Sequence, residues 1–166
     1  MVQRSKMQKI KLTRGKSAII DAADYRKVSE HKWYTCPDMN TWYAMTEIKG
    51  KSVQLHRFLM QPKKDQEADH INGNGLDNRR CNLRFATHAE NQHNSRKRKD
   101  GVTSKYKGVC RHAQHKNKFY VQIMVGNRKK FLGLFKCEVD AALAYDIAAL
   151  KYFKEFARLN FPKGRS

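Results

Sequence analysis

Between Ala68 and Asn94 the chain reads ADHINGNGLDNRRCNLRFATHAENQHN, and the residue types in this stretch are those of hydrolytic chemistry. Asp69 offers a hard oxygen donor, and beside it His70 carries the one side chain whose ordinary pKa lets it take a proton from water near neutrality. Cleaving a phosphodiester requires an activated water, an in-line geometry and stabilisation of charge on the phosphate and leaving oxygens. Neighbours on a strand point to opposite faces, so a metal ligand at Asp69 and a base at His70 would flank a scissile phosphate. Asn91 offers a second oxygen ligand. Mg²⁺ suits so sparse a set, because it keeps its waters and substrate oxygens. Arg79, Arg80 and Arg84 lie close in sequence and are candidates for phosphate contact.

These groups need elements to hold them. Ala68–Asn72 fits a short strand, and Gly73-Asn74-Gly75 fits a tight turn with positive backbone dihedrals. Asp77 and Asn78 are capping types. Thr87 with Glu90 has capping-box spacing and predicts a helix from Thr87 to about Arg96. The segment is thus a compact ββα unit.

Upstream, residues 1–17 read as a mobile basic arm leading into a first strand. Ala22, Tyr25 and Val28 predict a short helix from about Asp21 to His31. Trp33-Tyr34, Thr41–Thr46 and Ser52–His56 read as strands, with Cys36–Asn40 and Gly50-Lys51 as turns. Arg57–Met60 makes a helical turn stopped by Pro62. Downstream, Lys107–His112, Phe119–Val125 and Lys129–Phe135 read as three strands joined at Lys116-Asn117 and Gly126-Asn127. Glu138–Phe153 is one long helix, with Val139, Ala142, Leu143, Ile147 and Leu150 read as its inward face. The fold class is α+β: residues 1–51 form an N-terminal α+β region, 52–96 a nuclease core, 97–103 a basic linker and 104–163 a three-stranded antiparallel sheet packed on one helix.

The chain has 166 residues, 35 Lys and Arg against 15 Asp and Glu, and a formal charge of +20. Such a charge repels itself on folding and calls for a polyanionic partner. The cations are spread along the whole length, which favours nucleic acid over a membrane surface. No apolar run approaches the ~20 residues that span a bilayer, and no apolar core follows the basic N-terminus; a cytoplasmic location is expected. Cys36, Cys81, Cys110 and Cys137 are widely spaced and form no C-x-x-C pair, so no structural zinc is expected.

Residues 52–94 resemble the HNH homing-endonuclease family of phage and intron-borne enzymes. The resemblance rests on Leu55-His-Arg57, Asp69-His-Ile-Asn-Gly-Asn-Gly-Leu-Asp-Asn-Arg80, Asn82-Leu-Arg84 and Ala86-Thr-His-Ala-Glu-Asn-Gln92. It implies His70 as general base, Asp69 as metal ligand, Asn82 as the residue that braces the loop and orients the histidine, and Asn91 as second metal ligand. The implied cofactor is a divalent metal, Mg²⁺ first and Mn²⁺ second. His56 is expected to pack under the site and His88 to lie on the helix surface, with His93 an alternative ligand.

Residues 104–162 resemble the AP2 DNA-binding domain, known from plant transcription factors and also fused to HNH endonucleases. Here the matching residues are Tyr106-Lys-Gly-Val109, Phe131-Leu-Gly133, Phe135, Ala141-Ala142, Ala144-Tyr-Asp146, Ala148-Ala149 and Leu159-Asn-Phe-Pro162. The resemblance implies that the sheet enters the major groove. It places Cys110, His112, Lys118, Gln122, Met124, Lys129 and Phe131 toward the bases, and Arg111, Lys116, Lys118, Lys129 and Lys130 toward phosphates. Cys110 and Met124 stand where plant members have arginine, so the plant target sequence does not transfer. Together these readings predict a metal-dependent DNA endonuclease of homing or nicking type. It would act as a monomer on double-stranded DNA, with no small-molecule cofactor. The rival is a DNA-binding regulator that does not cut.

Overall fold

A computed structural model describes residues 6–38, 41–97, 103–115 and 118–162. The chain is α+β, built from small antiparallel sheets and short helices. It divides into two compact units, Met1–His88 and Ala89–Ser166.

The first unit opens with a hairpin of β1 (Met7–Lys11) and β2 (Ser17–Asp21), where only a basic arm was expected ahead of the first strand. Arg14 and Gly15, at φ 57° and 65°, make its turn. The strand was hard to read because β1 lies at the surface: Ile10 is its one half-buried residue and the others are exposed. The expected helix over Asp21–His31 is a 3₁₀ turn at Ala22–Asp24 followed by α1 (Tyr25–Ser29). Trp33 closes this region from below, its buried indole donating to the Val28 carbonyl at 2.9 Å.

Strands β3 (Tyr34–Asp38), β4 (Thr41–Ile48) and β5 (Lys51–Gln54) form a meander in that order. Cys36-Pro37-Asp38, read as a turn, continue β3 and pair as far as Asp38 with Thr41; Met39 and Asn40 lie outside the described residues. Pro37 is tolerated because β3 is an edge strand, where a missing N–H can face outward. Helix α2 (Leu55–Met60) begins two residues before the expected Arg57 and takes in His56, because Leu55, His56 and Leu59 then share its buried side. Gln61, left-handed at φ 48°, and Pro62 end it. Ala18, Ile20, Val28, Trp33, Ala44, Leu55, Leu59 and Leu83 make the core. On it lies the ribbon of β6 (Glu67–His70) and β7 (Leu83–Ala86).

The helix expected from Thr87 is α3 (His88–His93), shorter than predicted. In the second unit β8 (Val109–Arg111), β9 (Phe119–Val125) and β10 (Arg128–Phe135) form a sheet of order β10-β9-β8, and α4 spans Glu138–Phe153 as expected. Lys116 and Asn117 lie outside the described residues. The face of α4 differs from the expected one. Ala141, Ala142, Tyr145, Ala148, Ala149 and Phe153 pack on Val109, Phe119, Val121 and Ile123, while Val139, Leu143, Ile147 and Leu150 are exposed. Small residues let the helix axis come close to the sheet. Tyr145 lies over Gly108, where a Cβ would stand 1.9 Å from the ring. No described helix is long and apolar enough to cross a membrane.

Candidate active site

Antiparallel pairing of β6 and β7 sets Asp69 opposite Arg84 and His70 opposite Leu83. Asp69 and His70 therefore project from opposite faces of one ribbon, and both are buried. Arg84 donates from Nε to Asp69 Oδ2 at 2.9 Å, and its Nη2 lies 2.8 Å from the same oxygen.

Between the two strands runs a loop, residues 71–82, whose polar groups are nearly all spoken for. Ile71 N–H donates to the Asn82 carbonyl (2.9 Å) and Asn72 N–H to Asn82 Oδ1 (3.0 Å). Asn82 Nδ2 donates to the Asp77 carbonyl (2.7 Å) and to Asn72 Oδ1 (3.1 Å). The buried Asn82 side chain thus ties the exit of β6 to the far limb of the loop.

Asn78 is hydrogen-bonded to the His70 ring, with Oδ1 3.2 Å from Nε2. Asn78 is fully buried at 0% exposure. Its Nδ2 donates to the Gly75 carbonyl (3.3 Å), which sets the amide so that Oδ1 faces the imidazole. An oxygen acceptor there places the ring proton on Nε2 and makes Nδ1 the basic nitrogen of the neutral ring. Sequence reasoning took Asn78 for a cap. The available signal was a carboxamide fixed in the turn directly across from a candidate base.

Strand β2 supports the same loop from outside. Ile19 N–H donates to the Leu76 carbonyl (2.8 Å), and Asn78 N–H donates to the Ile19 carbonyl (2.7 Å). Gly73 has the expected positive φ of 68°, with its N–H on the His70 carbonyl at 2.8 Å. Gly75 does not; it is glycine because a Cβ would lie 2.5 Å from the Trp42 carbonyl oxygen and the Tyr43 ring.

Beneath His70 lies His56, ring centroids 4.5 Å apart, with Tyr43 5.5 Å from His56 and 5.9 Å from His70. Burial, then the neighbouring His70 and Arg57, push His56 down to about 3. Burial also lowers His70, against the opposing pull of its Asn78 bond, Asp69 and Asp77. A lowered pKa keeps His70 neutral at pH 7, the form a general base requires. Burial followed by Asp38 and Asp69 raises the Tyr43 hydroxyl.

The three arginines are each paired within the first unit. Arg79 makes two 2.7 Å bonds to Asp77, whose carboxyl it holds below the usual range. Arg80 bonds Asp24 at 2.8 and 2.9 Å, while its N–H donates to Asp21. Arg84 holds Asp69 and is the most enclosed of the three. His88 is exposed and paired with Glu67 at 2.9 Å.

Asn91 lies on the part of α3 that counts with the second unit. His93 stacks on Phe153 at 3.8 Å between centroids. Among the described residues no three or more His, Cys, Asp or Glu side chains gather to hold a metal. The Asp69 carboxylate is a hard oxygen donor of the kind that hard divalent cations take.

On the sheet of the second unit, Cys110, Gln122, Met124, Lys129 and Phe131 share one face by their register, and His112 and Lys118 continue it past the paired ends. Phe131 stacks on Tyr120 at 4.9 Å. Arg111 and Lys130 alternate to the other face. The Arg111 guanidinium lies over Phe119, and Lys130 Nζ lies 4.7 Å from the Tyr152 ring on α4. Lys116 lies outside the described residues.

The ribbon thus carries a buried Asp-His pair and an asparagine-braced loop, and comparison with known proteins gives its family. The chain is 30% identical over 157 residues to a protein of Acanthamoeba polyphaga mimivirus described as an uncharacterized HNH endonuclease, covering 90% of this chain and 78% of that one. The chain belongs to this HNH endonuclease family. It is also 27% identical over 162 residues to an AP2-like ethylene-responsive transcription factor of Arabidopsis thaliana, over 84% of this chain but 29% of the plant protein. A 64-residue segment is 44% identical to a second such Arabidopsis factor, of which it spans 11%. No family model matches.

Proposed function

We propose that the chain is a metal-dependent DNA endonuclease of homing or nicking type, cutting with the Asp69–His70 ribbon and held on duplex DNA by the β8–β10 sheet. The observation that carries this reading is the buried His70, its ring bonded to Asn78 and its loop braced by Asn82. His70 Nδ1 takes the proton of an attacking water, and Asn78 keeps the imidazole in the tautomer that permits it. Arg84 pairs with Asp69 and orients its carboxylate. A divalent cation, Mg²⁺ or Mn²⁺, would be held by Asp69 and, as the family resemblance implies, Asn91, and would supply stabilisation of charge on the leaving oxygen.

DNA binding is supported by the +20 charge and the outer sheet face. There Lys118 and Lys129 offer phosphate contacts, while His112 and Gln122 offer base contacts. Arg79 and Arg80 retain exposed edges beside the loop and serve the cleavage end. Arg111 and Lys130, on the other face, reach phosphates only from the rim.

The test is to incubate the full chain with supercoiled and linear duplexes, with Mg²⁺ or Mn²⁺ and with a chelator, and to map the ends. Metal-dependent products with 5′-phosphate and 3′-hydroxyl ends are expected. Tight binding without cutting under any of these conditions would favour the non-cleaving regulator that the plant relatives suggest.

A further inference from the structure

The solvent side of α4 is apolar along three turns. Val139, Leu143, Ile147 and Leu150 are 43%, 44%, 70% and 49% exposed. Their spacing of four, four and three keeps them on one side of the helix. The opposite side is the alanine face buried on the sheet, so this stripe is surplus to the core of its own unit. A solvated helix face normally carries charge, and here charge stands only at the two ends: Glu138 and the exposed Asp140 at the N-terminal end, and the exposed Lys151, Lys154 and Glu155 at the C-terminal end. The stripe amounts to roughly 350 Å² of contiguous apolar surface, within the range that marks interaction sites on monomers.

From this pattern we infer that α4 is a self-association surface, and that its occupant is the α4 of a second copy of the same chain, crossing antiparallel. The arrangement is self-complementary about a point near Tyr145. A two-fold axis there brings Leu143 against Ile147 of the second copy and Val139 against Leu150. The same operation sets Asp140 at one end beside Lys151 of the other copy, twice per dimer. An isologous contact of this kind closes on itself and yields a dimer rather than a chain of molecules. A shallow crossing of the coiled-coil class keeps the whole stripe in contact. A parallel crossing would instead set Asp140 on Asp140 and Lys151 on Lys151, so the end charges select the antiparallel one.

Magnitudes decide how strong such a dimer is. Roughly 350 Å² per copy is less than half of the ~800 Å² per partner in a standard stable interface. Two chains of +20 also repel each other. The association is therefore weak in dilute, low-salt solution. It strengthens with salt, which shortens the range of the long-range repulsion to about 3 Å at 1 M and leaves apolar burial intact.

The experiment is sedimentation velocity on the full chain without DNA, from about 1 to 200 μM at low and at ~0.5 M salt, a range over which screening changes several-fold. The wild-type mass should move from 19.4 kDa toward twice that value as concentration rises, and should do so at lower concentration in high salt. Leu143→Glu with Ile147→Glu should stay monomeric throughout, with circular dichroism and melting unchanged, because both sites are exposed. Asp140→Lys should need at least tenfold more protein to dimerise, and adding Lys151→Asp to it should restore the wild-type curve. A wild type that stays monomeric at every concentration overturns the assignment, as does association untouched by the Glu pair. Failure of the charge reversal to restore it rules out the antiparallel register.

Discussion

The two units solve opposite problems with their interiors. In the first, the space behind the β6–β7 ribbon is filled with groups that hydrogen-bond: Asp69, His70, Asp77, Asn78 and Asn82 are all buried, each tied to a neighbour. In the second, the interior between sheet and helix is aliphatic and aromatic, with Asp146 the buried acid, used to hold the Asn160 and Phe161 N–H groups. A polar interior is costly to assemble but fixes each group in one orientation, which is what a reacting centre needs. An apolar interior is tolerant of what happens outside it, which suits a sheet whose outer face is free to vary its contacts.

The contrast can be broken from either side. Replacing His70 with Ala should lower metal-dependent cleavage by about 10³-fold, the usual worth of a positioned base, with duplex affinity unchanged in a mobility-shift titration. Cleavage at the wild-type rate would remove His70 from the role of base. In the second unit, Gly108→Ala forces a Cβ to within 1.9 Å of Tyr145 at a φ of 76°. It should cost about 3 kcal/mol or more through overpacking and strain, lowering the melting transition and DNA affinity together. Asn82→Ala removes the loop brace and strands the Asp77 carbonyl. A loss of about 2–3 kcal/mol is expected from the buried groups left unpaired, with kcat for cleavage falling more than KM rises.

pH should separate the units by window, because both carry a buried base whose pKa is lowered on folding. His56 binds protons with its ordinary pKa of 6.5 when unfolded but only near pH 3 when folded. Between those values the unfolded chain holds more protons, so stability falls as pH drops below about 6.5, by about 2 kcal/mol at pH 5. Lys107, lowered by burial to about 8, gives the second unit the same direction in a higher window, with stability rising as pH rises from 8 through 10.5. Denaturant melts followed at Trp33 and Trp42 across pH 5–7 check the first. The smallest effect is a gain. Lys154, at φ 50° and ψ −122°, occupies a conformation that only glycine adopts without strain. Lys154→Gly should raise stability by about 1 kcal/mol; an unchanged melting temperature would mean that the strain is relieved elsewhere.

Where side-chain type and local spacing agree, the elements were legible in advance. Phe119–Val125 alternates with period two and is β9; Glu138–Phe153 is uninterrupted by Gly or Pro and is α4. The ribbon that holds Asp69 and His70 was legible for the same reason, as a short strand followed by a Gly-Asn-Gly turn. What failed depended on partners far along the chain. The inward face of α4 was misjudged because larger side chains were assumed to seek the core, while the sheet takes alanines and Tyr145. Asn78 was passed over because its oxygen meets His70 only once the loop is closed. β1 was missed because lysines and glutamine fill a strand whose apolar contacts belong almost entirely to β2.

That β2 hydrogen-bonds the loop at Leu76 and Asn78 has a consequence for how the molecule is made. The contact spans much of the first unit, so the entropy of closing that long stretch must be met before His70 gains its setting. The hairpin nonetheless leaves the ribosome before the loop does and waits as a template. Truncating or swapping the hairpin would therefore slow the appearance of cleavage activity during refolding before it altered the loop's own residues, and the reacting centre would be the last part of its unit to mature.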